Sequence, residues 1–492
     1  MKQLKKLAAV LLAVVMTLAM NMTVFAADTS DTTYKLTLTG TATGHTYQAY
    51  QIFKGDLTTN TEGKKVLSNV NWGEGVTYTG TGSAADVAKA LSDGTMSIAD
   101  LEEKLTLATP VKTVESSKGS TEISGLAAGY YLVKDKDGTQ ANTSDAYTKF
   151  IVQVVGDTTT DVKSDVPTVE KKVKDTNDST GATSDWQDSA DADINDEVQY
   201  QITGTMPDNI ADYTTYKYVF TDTMSKGLTY TANNAKITIG DKDVTGSFTE
   251  NVESKTDGPT VVTWTCDNLK GIEGVTVGAS TKVVVTYSAK LNENAVIGAA
   301  GNPNTVNLTY SNNPNKGGEG ETGKTPDDKN IVFTYKVVVN KVDQDKKSLK
   351  GAAFKLEKKQ SDATYKEVKS FTAGEDTTFT FTGLDDGDYR LTETTTPAGY
   401  NTITPVEFTI SATHDTTADE PKLLTLSGDK KTGEATFTAN KDAGSLTTDI
   451  VNKKGSNLPS TGGAGTRMFY VFGGCLVAAA VVLLALKKRK EA

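Results

Sequence analysis

Tyr335-Lys336-Val337-Val338-Val339-Asn340-Lys341-Val342-Asp343 is a strand with a charge in the wrong place. Side chains alternate between the two faces of a strand, so Tyr335, Val337, Val339 and Lys341 share one apolar face. An ammonium on such a face is costly unless something compensates it. Working outward, Tyr389, Leu391 and Glu393 alternate in the same way and carry a carboxyl to an apolar face. Ile450 and Asn452 alternate just before Lys453-Lys454-Gly455. Taken singly, an inward charge is a common guard against edge-to-edge aggregation. A lysine, a glutamate and an asparagine placed inward in one unit point instead to chemistry among them.

The surrounding motifs are Val339-Asn340-Lys341-Val342-Asp343, Leu349-Lys350-Gly351-Ala352-Ala353-Phe354, and Tyr389-Arg390-Leu391-Thr392-Glu393-Thr394 with Pro397-Ala398-Gly399-Tyr400. Together they resemble the Cna B-type domain of Gram-positive pilins and adhesins. The resemblance implies an intramolecular isopeptide bond from Lys341 to Asn452, with Glu393 as the catalytic acid. The chemistry suits the residues: burial lowers a lysine pKa and raises a carboxyl pKa. A neutral amine can then attack, and a neutral acid can polarise the amide and shuttle protons.

An upstream unit repeats the logic. Val169, Lys171 and Val173 share one strand face, Tyr218, Phe220 and Asp222 a second, and Asn304, Val306, Leu308 and Tyr310 a third. Pro167 to Val173, Phe220 to Leu228, and Asn304-Thr305-Val306 with Tyr310-Ser311-Asn312-Asn313-Pro314 resemble the fimbrial isopeptide-formation domain of Cna A-type fold. That resemblance implies a Lys171–Asn304 bond with Asp222 as the acid; Lys172 and Asn307 alternate to the opposite face. In the first unit, Gly129-Tyr130-Tyr131-Leu132-Val133-Lys134-Asp135 resembles the acid-bearing strand, and Lys35 could serve as the amine. Phe150 to Val155 contains no asparagine, so no bond is expected there. By analogy with a disulfide closing a loop of roughly a hundred residues, each bond would destabilise the unfolded chain by about 4–5 kcal/mol.

Short alternating runs separated by Gly, Asp and Asn turns continue along the chain, the pattern of all-β, immunoglobulin-like sandwiches in tandem. Only residues 83–105 carry a helical period, through Val87, Leu91, Ile98 and Leu101. The expected organisation is an N-terminal domain over 27–162, a Cna A-type domain over 163–316, a polar linker over 317–329 and a Cna B-type domain over 330–454. The 492 residues carry a net charge of −11, which argues against nucleic acid as a partner. No HExxH, GxSxG or CxxC motif is present, and His45 and His414 are the only histidines. Neither a cofactor nor a metal is therefore expected, and the chain is read as a substrate and structural protein, not an enzyme. Asp191-Ala192-Asp193-Ile194-Asn195 opens like a calcium loop, but Asp196 replaces the glycine such a loop needs, so a solvated acidic loop is expected. Cys266 is alone outside the C-terminal apolar segment that holds Cys475, which leaves no internal disulfide and predicts a small buried residue.

The two ends give the location. Lys2, Lys5 and Lys6, an apolar run from Leu7 to Ala19 and Val24-Phe25-Ala26 form a secretory signal peptide over 1–26. At the other end, residues 455–462 contain Leu458-Pro459-Ser460-Thr461-Gly462, followed by an uncharged stretch over 468–486 and a basic tail over 487–492. The stretch is long enough to span a bilayer, and the basic cluster keeps the tail cytoplasmic. The three parts in order resemble the LPXTG cell-wall sorting signal. The resemblance implies membrane retention until a sortase cysteine attacks the Thr461 carbonyl and releases Gly462 onward, then passes the acyl group to an amine. The expected location is the cell wall of a Gram-positive surface.

A polymerising pilin also needs an acceptor lysine, which in shaft pilins lies in a YPKN-like motif. This sequence has none, but Thr160-Asp161-Val162-Lys163-Ser164-Asp165-Val166-Pro167 stands at the corresponding junction. Lys163 is the leading acceptor, with Lys172 and Lys174 behind it. The implied partners are a sortase, neighbouring pilin subunits and peptidoglycan, with minor pilins and host surface ligands as further candidates. The function expected is a shaft subunit of a covalent pilus; the alternative is a minor pilin or monomeric wall-anchored adhesin.

Overall fold

Strands dominate the computed structural model, which describes residues 32–60, 63–96, 98–139, 145–455, 472–473 and 475–481. The expected signal peptide, the Leu458–Gly462 motif, the basic tail and most of 468–486 lie outside them. Among the described residues, no helix is long and apolar enough to cross a membrane. Two compact units are present. One comprises residues up to Val173, Glu197–Lys290 and Pro303–Asn330; the other comprises Lys174–Asp196, Leu291–Asn302 and residues from Ile331 onward.

The first unit contains two sandwiches. In the N-terminal one, Tyr34–Thr41 lies between Thr158–Asp161, parallel, and Gly119–Leu126, antiparallel. The facing sheet is ordered Lys65–Trp72, Thr46–Thr59, Gly129–Asp135, Lys149–Val154. Leu36, Leu38, Ile123, Tyr131 and Val133 fill the space between the sheets. The helical stretch forms two short helices, Ala84–Ser92 and Ile98–Glu102, rather than one. Ser83 caps the first through a reciprocal bond pair with Asp86. Gly94, at φ +72°, turns the chain out of the helix.

In the second sandwich, Val169–Val173, Glu197–Thr205 and Lys282–Leu291 pair in sequence, with Lys236–Ile239 beyond them. The opposing sheet is formed by Asn302–Ser311, Tyr218–Met224, Thr260–Cys266 and Thr249–Ser254. Tyr200, Ile202, Val283 and Val285 from one sheet and Phe220, Val262, Val306 and Leu308 from the other are fully buried. Cys266 is a buried free thiol, its pKa pushed up by that burial. The polar run expected to be a linker is partly woven into this sheet, because Thr322–Lys324 pairs with Thr309–Ser311. Gly323 allows it: a Cβ there would stand 2.7 Å from the Tyr310 ring.

The other unit holds a third sandwich. One sheet is ordered Thr378–Leu384, Tyr335–Asp343, Ser445–Asn452, Thr438–Asn440. The second is ordered Tyr365–Ser370, Ala353–Lys359, Gly387–Thr395, Val406–His414, Leu423–Lys430. The core runs through Tyr335, Val337, Val339, Phe354, Phe379, Leu391, Phe408 and Ile450. The expected solvated acidic loop is corrected here. Ser189–Asp191 is a strand paired parallel with Ile331–Phe333, and Asp191 is only 4% exposed. Local polarity suggested solvent, and a partner strand far along the chain supplied burial.

Candidate functional site

Lys171 projects inward because its strand alternates exposed Glu170, buried Lys171, half-buried Lys172 and buried Val173. Its Nζ donates to Asp222 Oδ2 at 2.6 Å and to the Tyr287 hydroxyl at 2.6 Å. Asp222 comes from the facing sheet, on a strand of strict buried–intermediate alternation. Asn304 lies on the neighbouring strand and donates through Nδ2 to the Tyr287 hydroxyl at 2.9 Å. Tyr287 in turn donates its proton to Asp222 Oδ2. Lys171, Asp222 and Asn304 are all 0% exposed. Burial pushes the lysine pKa down against the pull of Asp222, and pushes the Asp222 pKa up against the lysine. Both shifts favour the neutral pair. Asp222 Oδ1 and Asn304 Oδ1 are left buried without a hydrogen-bond donor. A proton on Asp222 is the natural donor for such a pair of acceptors.

The sequence reading missed the tyrosines. Tyr200 and Tyr287 face each other across adjacent strands, with rings stacked 5.2 Å apart and Lys171 Nζ 5.2 and 5.1 Å from their centres. The available signal was alternation: Val283, Val285, Tyr287 and Ala289 share a face, and a buried tyrosine needs a partner for its hydroxyl.

In the third sandwich Lys341 and Asn452 come from adjacent parallel strands, the first and last of the domain. Lys341 stands opposite Ile450, and Asp343 opposite Asn452. Lys341 Nζ donates to the Ile450 carbonyl at 2.9 Å and lies 4.0 Å from Glu393 Oε1. Asn452 Nδ2 donates to Glu393 Oε2 at 3.0 Å and to the Asn401 carbonyl at 2.8 Å. The backbone N–H of Ile403 and the Thr396 hydroxyl hold the same carboxyl oxygen. Burial lowers the Lys341 pKa to about 8, partly offset by Glu393 and Asp343. Again a carboxyl oxygen, Glu393 Oε1, and the asparagine carbonyl, Asn452 Oδ1, are buried with no donor.

The N-terminal sandwich does not bring its candidate residues together. Lys35 is exposed and pairs with Glu122 at 3.2 Å. Asp135 is buried and meets His45 Nδ1 at 3.1 Å, while Thr148 N–H donates to its other oxygen. The hydrogen bond to Asp135 raises the His45 pKa. Lys163 is exposed, at the junction of the first two sandwiches. Its backbone is fixed from both sides: its N–H donates to Thr148 Oγ1 and its carbonyl accepts from Asn209. Lys172 pairs with Glu170 at 3.2 Å, and Lys174 lies over the Trp186 ring.

Comparisons with known proteins agree with this architecture. Residues 194–314 match the family described as Gram-positive pilin backbone subunit 2, Cna-B-like domain. Residues 335–422 match SpaA, a prealbumin-like fold domain, and residues 450–492 match the LPXTG cell wall anchor motif. A relative, the trypsin-resistant surface T6 protein of Streptococcus pyogenes serotype M6, is 26% identical over 554 aligned positions, covering 97% of this chain and 99% of its own. The solved T6 backbone pilin of serotype M6 S. pyogenes is similar with a TM-score of 0.53 at 19% identity, covering 87% of this chain and 100% of that one. The full-length major pilin SpaD of Corynebacterium diphtheriae gives 0.47 at 20% identity, covering 86% and 98%. With a pilin-backbone domain, a prealbumin-like domain and a wall-anchor motif in one chain, this protein is a backbone pilin subunit of a Gram-positive pilus, anchored at the cell wall.

Proposed function

We propose that the chain is a shaft subunit, joined head to tail by a sortase through Thr461 of one copy and Lys163 of the next, and stiffened by two self-formed isopeptide bonds. In each crosslink the lysine Nζ attacks the asparagine side-chain carbon. The new C–N bond forms, the old one breaks, and ammonia leaves with the proton taken from the lysine. Asp222 serves Lys171 and Asn304; Glu393 serves Lys341 and Asn452. Each acid donates to the amide oxygen as it becomes negative and relays the amine proton to the leaving group. Residues 27–162, 163–316 and 330–454 are taken as the three domains of the shaft unit.

What carries this reading is the repeated convergence of a fully buried lysine, a buried carboxyl and a fully buried asparagine, with the same two acceptor atoms lacking a donor. Mass spectrometry of the purified full chain tests it. Each bond removes one ammonia, about 17 Da, so the expected deficit is two ammonias. Asp222→Ala and Glu393→Ala should each restore one. A chain at its full sequence mass, after allowance for the signal peptide, overturns the crosslinks. A deficit of three places an additional bond elsewhere, with the N-terminal sandwich the first place to look.

A further inference from the structure

The unit that contains the third sandwich buries an unusual density of carboxylates, and they fall into two lobes. In one, Asp178, Asp193, Asp196 and Asp385 offer oxygens within 4.8 Å of one another. That lobe already holds its cation. Lys358, 2% exposed, places Nζ 2.7 Å from Asp193 Oδ2 and 3.4 Å from Asp178 Oδ2, and also bonds Asp385. In the other lobe Asp175, Asp191 and His414 bring one ligand atom each within 4.8 Å of the others, and no lysine or arginine is paired with them among the described residues.

Three observations bear on the chemistry of this second lobe. Asp191 Oδ2 is buried and no donor meets it with hydrogen-bond geometry, the nearby Tyr335 hydroxyl included, which is costly for a carboxylate. Ser189 and Asp191, two apart on one strand, face the same side, and Ser189 Oγ contacts His414 Nδ1 at 2.7 Å. The Ser189 hydroxyl also bonds the Asp415 carbonyl, to which it can only donate. Its single proton is thereby used, so towards His414 it accepts, and Nδ1 carries the hydrogen. The Nε2 atom is then the one left to face the carboxylates, 3.4 Å from Asp175 Oδ2. This is long for a hydrogen bond. It is the separation of two ligands sharing one tetrahedral ion, which stand roughly 3.4 Å apart when each is about 2.1 Å from the metal.

We infer that Asp175, Asp191 and His414 form a binding site for a divalent transition-metal ion of the zinc type, with His414 Nε2 and one oxygen of each carboxylate as ligands and water completing the shell. Ser189 is the outer-shell group that fixes the imidazole tautomer, as metal-bound histidines require. The imidazole nitrogen argues against calcium, which takes oxygen ligands. The ion supplies this lobe with the countercharge that Lys358 supplies to the other.

The test uses the full chain, purified in detergent and stripped with EDTA. Calorimetric titration with ZnCl2 should give one equivalent bound. Asp191→Asn and His414→Gln should each weaken binding at least tenfold, and Ser189→Ala should weaken it about 10–100-fold while leaving every ligand in place. CaCl2 should not compete at equal concentration. Saturation absent up to millimolar zinc, affinity unchanged in the ligand variants, or equal affinity for calcium overturns the assignment. Wild-type crystals soaked in ZnCl2 give a readout that needs no variant to fold. An anomalous peak between the three side chains supports the site; its absence, or a peak only on the surface, overturns it.

Discussion

At the scale of single residues, Tyr287 links every group of the crosslink site proposed for the second sandwich. Its hydroxyl accepts from Lys171 and from Asn304 and donates to Asp222. In the proposed reaction it would hold nucleophile and electrophile on one oxygen while keeping the acid oriented. Tyr287→Phe retains the ring stacked against Tyr200 and removes only that oxygen. Hydrogen bonds to charged or reacting groups contribute about 1.5–3 kcal/mol, so closure of the Lys171–Asn304 bond should slow roughly ten- to a hundredfold. A mass-resolved time course after refolding reads this directly. Closure at the wild-type rate would make Tyr287 a packing residue only. Its role was only half legible in Lys282–Leu291: alternation places the ring inside, but a tyrosine among valines reads as core. Lys171, Lys341 and Asn452 were legible because a charge or amide at an apolar strand position breaks a simple period. Asp191 was misread for the opposite reason: among Asp188, Asp193 and Asp196 it looked ordinary, and its burial comes from Ile331–Phe333, which no local pattern reveals.

At the scale of elements, the two crosslinks would act differently. Lys171 and Asn304 belong to opposed sheets, so their bond staples the sandwich through its core. Lys341 and Asn452 belong to adjacent parallel strands, so their bond ties the first strand to the last within one sheet. The alternation that positions these residues was readable strand by strand. The order of strands was not, since pairing of Tyr335–Asp343 with Ser445–Asn452 depends on contacts over a hundred residues apart. Asn452→Ala leaves this pairing and the buried amine but prevents the bond. The amine then titrates in the folded state near 8 rather than near 10.5. Below pH 8 Lys341 is protonated in both states and its burial penalty is felt in full. Between about 8 and 10.5 the unfolded chain binds more protons than the folded one, so stability rises with pH, by roughly 3 kcal/mol across that window. With the proposed crosslink in the wild type the nitrogen would be an amide, and this rise should vanish. Urea unfolding of the two proteins at pH 7, 9 and 10.5 makes the comparison. An equal slope in both would mean that Lys341 remains a free amine in the wild type.

At the scale of the whole molecule, the acceptor lysine has to be reachable by an enzyme while its backbone remains fixed enough to bear load. Lys163 meets both conditions. Its side chain is exposed, and its N–H and carbonyl are tied to Thr148 in the first sandwich and Asn209 in the second. Lys172 is half-buried on a core strand and paired with Glu170, which makes it the poorer nucleophile for an incoming acyl-enzyme. A subunit joined at Lys163 would pass tension into the strand that begins at Val169 and reaches Lys171 two residues later, so the crosslink to Asn304 would take the load near its entry. Cell walls of the producing strain, boiled in detergent and blotted, should show a ladder of high-mass bands. Lys163→Ala should collapse the ladder to monomer, while the two-ammonia deficit of that monomer should persist, because the proposed crosslinks would form within a subunit and need no sortase. An intact ladder in Lys163→Ala would move the acceptor to another lysine, Lys172 or Lys174 first. A wild type that runs as one band would favour a singly anchored wall protein over a polymer.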